Sequence, residues 1–306
     1  MVHVFGHLSP DTDATCSALI WAWYLNTHTA TPATPFVLGD LNSETSFVLT
    51  RFGIATPELL PALNVGTEVV VVDTNNPQEL PGNMNELTLL GLIDHHKLVG
   101  GLETSAPTHI TIRPLACTAT IMYDLITAEG HTIPTDIAGL MLSAILSDTL
   151  GFRSPTTTPH DKDVAENLTA IVGVDMHAHA DEMFAAKSDI SSFSDSGLVK
   201  LDSKKYEVGD KNFRVSVIET TNPAIVLARQ AGIIDAIKAC VAEEGDIDDV
   251  LFFIVDILKE EATVLTYNDL TKQVITASFG VATTGDTEVL PGIMSRKKQI
   301  LPALKL

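Results

Sequence analysis

The sequence is short of three things, and each shortage excludes something. It has three cysteines, Cys16, Cys117 and Cys240, widely spaced and without a CxxC pair, so neither a disulfide framework nor a thiolate zinc site is indicated, and all three read as small core residues. It has no apolar run that approaches the ~20 residues needed to cross a bilayer, and "MVHVFGHLSPDTD" has no basic stretch leading into an apolar one. A soluble cytoplasmic protein with no membrane partner is expected. Basic residues are also scarce, 19 against 39 acidic for a formal charge of -20. Such a surface repels a phosphate backbone, so nucleic acid is not an expected partner and any polyanion must find a local cationic site.

What is present is enough for a large core: 306 residues, 45% of them hydrophobic, exceed the size at which one core stops growing. Two domains are predicted, residues 1–187 and 198–306, separated by a polar linker at 188–197 inside "KSDISSFSDSG". In the first, the segments "VHVFG", "PFVLGD", "EVVVVD" and "LTLLGLID" read as buried parallel strands. Helices are expected at about Asp13–Asn26, in "SETSFVLTRFG", at about Cys117–Gly130, at Pro134–Leu150 and in "PHDKDVAENLTAIVG". The alternation defines the fold class as α/β, a parallel sheet with helices on both faces. The second domain is expected to be a smaller α/β unit with a mixed sheet. It would hold a hairpin in "KKYEVGDKNFRVSVIE", a long helix capped by Asn222 with Pro223 in its first turn, and strands near Val250–Val255 and Ala262–Tyr267.

Ligands of an open parallel sheet collect beyond the carboxyl ends of its strands. Three of the predicted strands end in candidate donors: His7, Asp11 and Asp13 after the first, Asp73 after the third, and Asp94, His95 and His96 after the fourth. The apolar helix "AGLMLSAILSDTLGF" adds Asp148. Singly, such residues are usually solvated loop residues or caps. Asp148 is harder to explain that way, because a carboxylate following "LMLSAIL" is expected to be nearly buried and requires partners. Together, two imidazoles (His7, His95) and four carboxylates (Asp11, Asp13, Asp73, Asp148) on one edge are expected to repel and raise their pKa values unless cations neutralise them.

Asp11 and Asp13, two apart in what reads as an extended segment, are expected to point the same way and serve neighbouring metals. Of the adjacent pair His95 and His96, one is expected to ligate metal and the other to face the substrate. Oxygen and imidazole donors without thiolate suit manganese, cobalt or magnesium better than structural zinc. Two such ions, about 3.5–4 Å apart, activate a bridging water for in-line attack on a phosphorus ester or anhydride. His177 and His179 fall in a polar stretch past a helix end, His3 and His109 in strands, and His28, His131 and His160 read as surface loop residues.

The stretches "GHLSPDTD", "VVVDTNN", "IDHHK", "SAILSDT" and "SRKKQ" resemble, nearly end to end, the manganese-dependent family II inorganic pyrophosphatases of the DHH phosphoesterase superfamily. The resemblance implies hydrolysis of pyrophosphate at two Mn2+ ions, with Co2+ or Mg2+ as possible substitutes and further Mg2+ or Mn2+ entering with substrate. One ion would be held by His7, Asp11 and Asp73, the other by Asp13, Asp73, His95 and Asp148, with Asp73 bridging. Asp94 would orient a histidine ligand, and His96 would face the substrate as donor or acid. Lys204, Arg296 and Lys297 would bind phosphate in a cleft between the domains, although Lys205 beside Lys204 competes for that assignment. "RKK" is a local exception in an acidic chain, and arginine offers phosphate a planar fork. The resemblance also implies a homodimer through the first domain.

The sequence departs from the family at Thr74, where many members have histidine, and at Leu8-Ser9, which replaces a more polar pair. Neither removes a ligand. An exopolyphosphatase, or a DHH-type phosphodiesterase on short oligonucleotides or nucleoside bisphosphates, is the alternative within catalysis, although the glycine-rich "GGGH"-like element of the latter is absent. A non-catalytic metal- or phosphate-binding module would be expected to have lost at least one ligand, and none is missing.

Overall fold

The computed structural model describes residues 1–296 and 299–306. The chain divides into two compact units, Met1–Ala186 and Lys187–Leu306. In the first, strands β1 (Val2–Phe5), β2 (Ala33–Val37), β3 (Glu58–Leu59), β4 (Glu68–Val72), β5 (Thr88–Asp94) and β6 (His109–Ile112) form one sheet in the order β3-β2-β1-β4-β5-β6. Every pairing is parallel. The helices are α1 (Thr12–His28), α2 (Ser43–Arg51), α3 (Thr118–Ala128), α4 (Thr135–Asp148), α5 (Pro159–Val172) and α6 (Met176–Lys187). After β1 the chain winds outward to β2 and then returns to lay β4 on the other side of β1, so the sheet has its topological switch between β1 and β4. The carboxyl ends of β1 and β4 are where such a sheet opens a crevice.

The strand pleat sorts the core. In β4, Val70 and Val72 join α1, α3, α4 and α5 in one apolar cluster, while Val69 and Val71 face the opposite side with Phe5, Phe36 and Leu92. On that second face the helical cover consists of two single 3-10 turns, Pro77–Glu79 and Met84–Glu86, which bring in Leu80, Met84 and Leu87. A register shift in the β4–β5 pairing pushes Leu90 out to the surface and returns Leu92 and Ile93 to the two buried faces. Gly6 has a specific reason to be glycine: a Cβ there would lie 2.7 Å from the Ala14 Cβ, so only a bare backbone lets β1 exit beneath the first turn of α1.

The second unit holds helix α7 (Asp195–Lys200), strands β7 (Ser203–Val208) and β8 (Lys211–Thr220), helices α8 (Pro223–Leu227) and α9 (Gln230–Glu244), strands β9 (Asp249–Asp256) and β10 (Glu261–Leu265), helix α10 (Asp269–Phe279), strand β11 (Thr287–Pro291) and a short α11 (Leu301–Ala303). The sheet order is β11-β10-β9-β8-β7, mixed because β8 and β9 run parallel while the other pairs are antiparallel. All eight residues of β9 are buried, and alternate ones feed the two faces: Val250, Phe252 and Ile254 one, Leu251, Phe253 and Val255 the other. No helix among the described residues is long and apolar enough to cross a membrane.

Several local expectations are corrected. The helix expected to run on from Pro223 stops at Leu227 and restarts at Gln230. The break falls at Arg229, whose guanidinium is pulled to Asp195 Oδ1 and to the carbonyls of Ile190 and Phe193. Those bonds, with Ile190 buried, pack residues 188–197 into the second unit instead of leaving them as a free connector. His28 and His160 lie in helices, the first stacked on His131 at 3.9 Å and the second bonded to Asp124.

His179 belongs to α6, is 1% exposed, and its Nε2 lies 2.8 Å from the Ser143 hydroxyl of α4. Burial, with a smaller contribution from Arg51, lowers its pKa to about 4. A histidine whose folded pKa lies below its unfolded value near 6.5 binds fewer protons in the folded state between those two values. Stability is therefore lost as pH falls from about 6.5 to about 4, by about 2–3 kcal/mol. In denaturant unfolding at pH 7 and pH 4.5, His179→Gln, which can still bond Ser143, is expected to lose less stability on acidification than the parent. Equal losses would show that His179 is not buried as a neutral ring.

Candidate metal centre

The first donors follow β1. Gly6 leads to His7, and the chain becomes helical at Thr12, with Asp11 as N-cap accepting from the Ala14 amide at 3.0 Å. Asp11 and Asp13 therefore do not share an extended segment as expected: one caps the helix from outside, and the other points inward from its first turn. Asp13 is fully buried and accepts from the Ser17 hydroxyl (2.8 Å), the Thr118 amide (2.6 Å) and the Ala119 amide (3.3 Å). The last two belong to the amino end of α3, where unpaired N–H groups favour an anion.

Asp73, just past β4, sits at the middle. It has φ 59°, a left-handed conformation that aspartate tolerates better than most residues but that still costs about 1 kcal/mol or more. Its carboxylate lies 3.5 Å from His7 Nε2, 3.3 Å from His95 Nε2 and 3.8 Å from His96 Nδ1, and accepts from the Thr118 hydroxyl at 3.1 Å. His95 and His96 therefore do not point to opposite sides. Their ring centroids are 4.3 Å apart and both reach Asp73, because β5 ends at Asp94 and the strand alternation ends with it.

Potential ligand atoms within 4.8 Å of one another define three groups: His7, Asp11 and Asp73; Asp73, His95 and His96; Asp13, Cys117 and Asp148. Asp73 is common to the first two. Asp148 approaches from the last turn of α4, with Oδ2 3.8 Å from His95 Nε2. The structure thus gathers all six sequence-predicted ligands at one end of the sheet.

The electrostatics favour cations there. Burial by itself would lower the pKa of His7, yet the carboxylates of Asp11 and Asp73 overcome it and raise it to about 10. His95 is likewise raised to about 9 against its burial, by Asp73 and Asp13. Asp73 is pushed the other way: burial would raise it, but His7 and His95 hold it well below the usual carboxylate range. The expected mutual repulsion appears at Asp13, raised to about 6 by burial and then by Asp73, and at Asp148, raised well above its ordinary value by burial and the charges of Asp13 and Asp73.

Asp148 Oδ2 is buried with no hydrogen-bond partner among the described residues, and it stands at a helix carboxyl end, the wrong end for an anion. A divalent cation answers both. Burial and the charges of Asp13 and Asp148 push the Cys117 thiol far up, and the other donors gathered here are oxygen and imidazole, a set that fits manganese.

Around these lie positioning residues not legible in the sequence. His95 Nδ1 lies 3.1 Å from the Leu115 carbonyl, so a backbone oxygen orients this ring. Asp94 instead serves His96, accepting from its backbone amide at 3.0 Å and lying 2.9 Å from its Nδ1. That contact raises the pKa of His96, while Asp94 is lowered despite its burial by His96 and Asn75. Asn75 holds the loop together, donating to Asp94 and to the Lys97 carbonyl and accepting from the Val99 amide. Thr74, where the family often has histidine, donates to Glu79 at 2.8 Å. Glu44, buried on α2, accepts from Thr12 and Ser147, the neighbours of Asp11, Asp13 and Asp148. Beside the centre a cavity of about 380 Å³ is lined by His7, Leu8, Ser9, Gln78, Glu79 and His96.

In the second unit the candidate phosphate ligands differ. Lys205 is occupied by Asp246 (2.6 Å) and Glu244 (3.1 Å), whereas Lys204, its neighbour on β7, is exposed and has no carboxylate partner among the described residues. Arg296 is largely buried, bonded to the Asp202 carbonyl and 2.7 Å from its carboxylate, with Nε unpaired among the described residues. Lys297 lies outside the described residues.

The parallel sheet carries histidine and aspartate at adjoining strand ends, and a mixed-sheet unit follows it. Residues 1–145 match the model of the DHH family, N-terminal domain, and residues 181–306 that of the DHHA2 domain. A protein of Deinococcus radiodurans named as a manganese-dependent inorganic pyrophosphatase is 42% identical, covering 100% of this chain and 98% of its own. One of Brevibacillus brevis with the same name is 36% identical over 98% of this chain and 96% of its own. The crystal structure of a Methanococcus jannaschii protein described as a family II inorganic pyrophosphatase matches with a TM-score of 0.65 and 33% identity, covering 99% of this chain and 98% of that one. The chain belongs to the manganese-dependent, family II inorganic pyrophosphatases.

With His7 and His95 raised to about 10 and about 9, both are protonated in the metal-free protein near neutral pH, and a metal must displace those protons. Manganese titration by calorimetry at pH 7.5, in buffers of different ionisation enthalpy, is expected to show release of at least about two protons per chain, from His7 and His95, with any proton held by Asp148 adding to them. Affinity is expected to fall as pH is lowered. Loading without proton release would contradict this assignment.

Proposed function

We propose that the protein hydrolyses inorganic pyrophosphate to two phosphates at a dinuclear manganese centre. The observation that carries this reading is the position of Asp73, within reach of imidazoles that belong to two separate donor groups. On it, His7, Asp11 and Asp73 hold one ion, Asp13, Asp73, His95 and Asp148 hold the other, and Asp73 is shared. Co2+ or Mg2+ would substitute, and further Mg2+ or Mn2+ would accompany the substrate. When bound, the two ions would supply Lewis acidity to the phosphoryl oxygens and lower the pKa of a water that serves as nucleophile.

The remaining work falls to the chain. Asp94 accepts from His96 Nδ1 and favours its protonated form, so Nε2 has a proton to give to the leaving phosphate oxygen. His96 is about half exposed and lines the cavity beside the centre, which supports a substrate-facing role. Lys204, Arg296 and Lys297 bind the phosphates. Lys204 is preferred to Lys205, whose charge is already matched by Asp246 and Glu244. The protein acts in the cytoplasm as a homodimer formed through the first unit, a reading supported by β6, an edge strand with Ile110 57% exposed.

Protein stripped with a chelator and refilled with manganese is expected to release phosphate from pyrophosphate far faster than from a short polyphosphate or a dinucleotide. Preference for either longer substrate would move the chain to the exopolyphosphatase or phosphodiesterase reading. Asp73→Asn is expected to lose one ion and at least 10²-fold in kcat. Asp94→Asn should keep both ions while losing about 10- to 100-fold in kcat, because only the orientation and protonation of His96 change. Lys204→Ala is expected to raise KM about tenfold, as loss of one charge-assisted hydrogen bond would, and Lys205→Ala hardly at all. The reverse order for the two lysines would overturn their assignment.

A further inference from the structure

The Asp161 carboxylate does more than a helix cap requires. At the third position of α5 it accepts from the Thr158 amide at 2.9 Å and hydroxyl at 2.6 Å, while its own amide takes a bond back to Thr158 Oγ1 at 3.2 Å. That reciprocal pair is a complete capping box, and it is normally solvated at a helix end. Here Asp161 is fully buried and reaches across to another segment. Both of its oxygens accept from the Ala116 amide, at 3.3 and 3.2 Å, and Oδ1 also accepts from the Thr120 hydroxyl at 2.7 Å.

The segment held in this way, residues 115–120, is the one that touches the metal centre most often. The Leu115 carbonyl faces His95 Nδ1, the Thr118 amide and the Ala119 amide donate to Asp13, and the Thr118 hydroxyl donates to Asp73. Three of the six candidate ligands thus take their orientation from a stretch of backbone fixed at both ends by one buried carboxylate. All three belong to the donor set assigned to the ion held by Asp13, Asp73, His95 and Asp148, and of the three only Asp73 also serves the other ion. Among the described residues, Asp11 and His7 make no hydrogen bond to this segment, and their contacts run to α1 and to Asp73.

We infer that Asp161 is a positioning residue for that second metal: by pinning Ala116 and Thr120 it sets the direction of the Leu115 carbonyl and the α3 amides, and through them the geometry of His95 and Asp13. The inference rests on the dinuclear reading above and adds an asymmetry to it, since the ion held by His7, Asp11 and Asp73 shares only Asp73 with that segment and should depend on Asp161 far less. Outer carboxylates and carbonyls that orient ligands commonly contribute 10- to 100-fold in metal affinity.

The test separates a positioning role from plain stabilisation of α5. Asp161→Asn breaks the tie to residues 115–120, whereas Thr158→Ala damages the same helix cap without touching that segment, so it serves as the control for lost stability. Thr120→Val removes the tie from the far side while keeping the shape of the side chain. Manganese affinity of each full-length protein is measured by competition with a chelating dye, alongside thermal unfolding of the metal-free form. Asp161→Asn is expected to weaken one of the two binding steps 10- to 100-fold and the other several-fold less, with Thr120→Val shifted the same way by a smaller amount. Thr158→Ala is expected to lower the unfolding temperature without altering either step. If Asp161→Asn does not fold, Thr120→Val decides the matter alone. Weakening of both steps alike, or equal weakening in Thr158→Ala, would overturn the inference. A parent protein that binds only one ion would instead overturn the dinuclear reading on which it rests.

Discussion

The centre depends on one constraint, a buried carboxylate held between two imidazoles. Asp73 reaches His7 on one side and His95 on the other, and it does so from a left-handed backbone conformation that an ordinary strand end would not adopt. The sheet makes this possible. Because β4 lies between β1 and β5, the residues leaving the carboxyl ends of those three strands come out side by side, with Asp73 central by topology as well as by chemistry. The cost of its backbone is small beside the energy of an unpaired buried charge, which is the alternative the fold avoids.

The rest of the site follows from the need to hold four carboxylates close together. Two imidazoles gain protons, Asp13 and Asp148 are driven toward their neutral forms, and Asp148 still has a buried oxygen without a hydrogen-bond partner among the described residues. A metal-free site of this kind is compensated by protons, and two divalent cations would replace them with fixed charge. Metal binding is for that reason coupled to proton release and to the stability of the first unit. The hydrogen bonds from α3, Leu115 and Asn75 hold the donors near their places through backbone and neutral groups, so the framework does not itself rely on the charges being balanced.

Much of this was legible from residue order. Apolar segments ending in histidine or aspartate located the strand ends, and the carboxylate closing an apolar helix marked Asp148 as needing a partner. The local geometry of the donors was less legible. Asp11 and Asp13 were expected along an extended segment and His95 and His96 on opposite sides of a strand. In both cases the regular element begins or stops one residue from where the alternation was applied. Asn75, Leu115, Glu44 and Asp161 were invisible for a different reason. Their roles lie in contacts across 19 to 103 positions of sequence, often made to backbone atoms that every residue has, so no residue type at any spacing announces them. His179 was missed because the polar letters around it conceal a helix whose one buried face points at Ser143.

The most direct test of the central claim is anomalous diffraction at the manganese edge from crystals of the manganese-loaded protein. The account predicts two peaks at the carboxyl ends of β1, β4 and β5, both within bonding distance of the Asp73 carboxylate. A single peak, or two peaks that do not share Asp73, would contradict it.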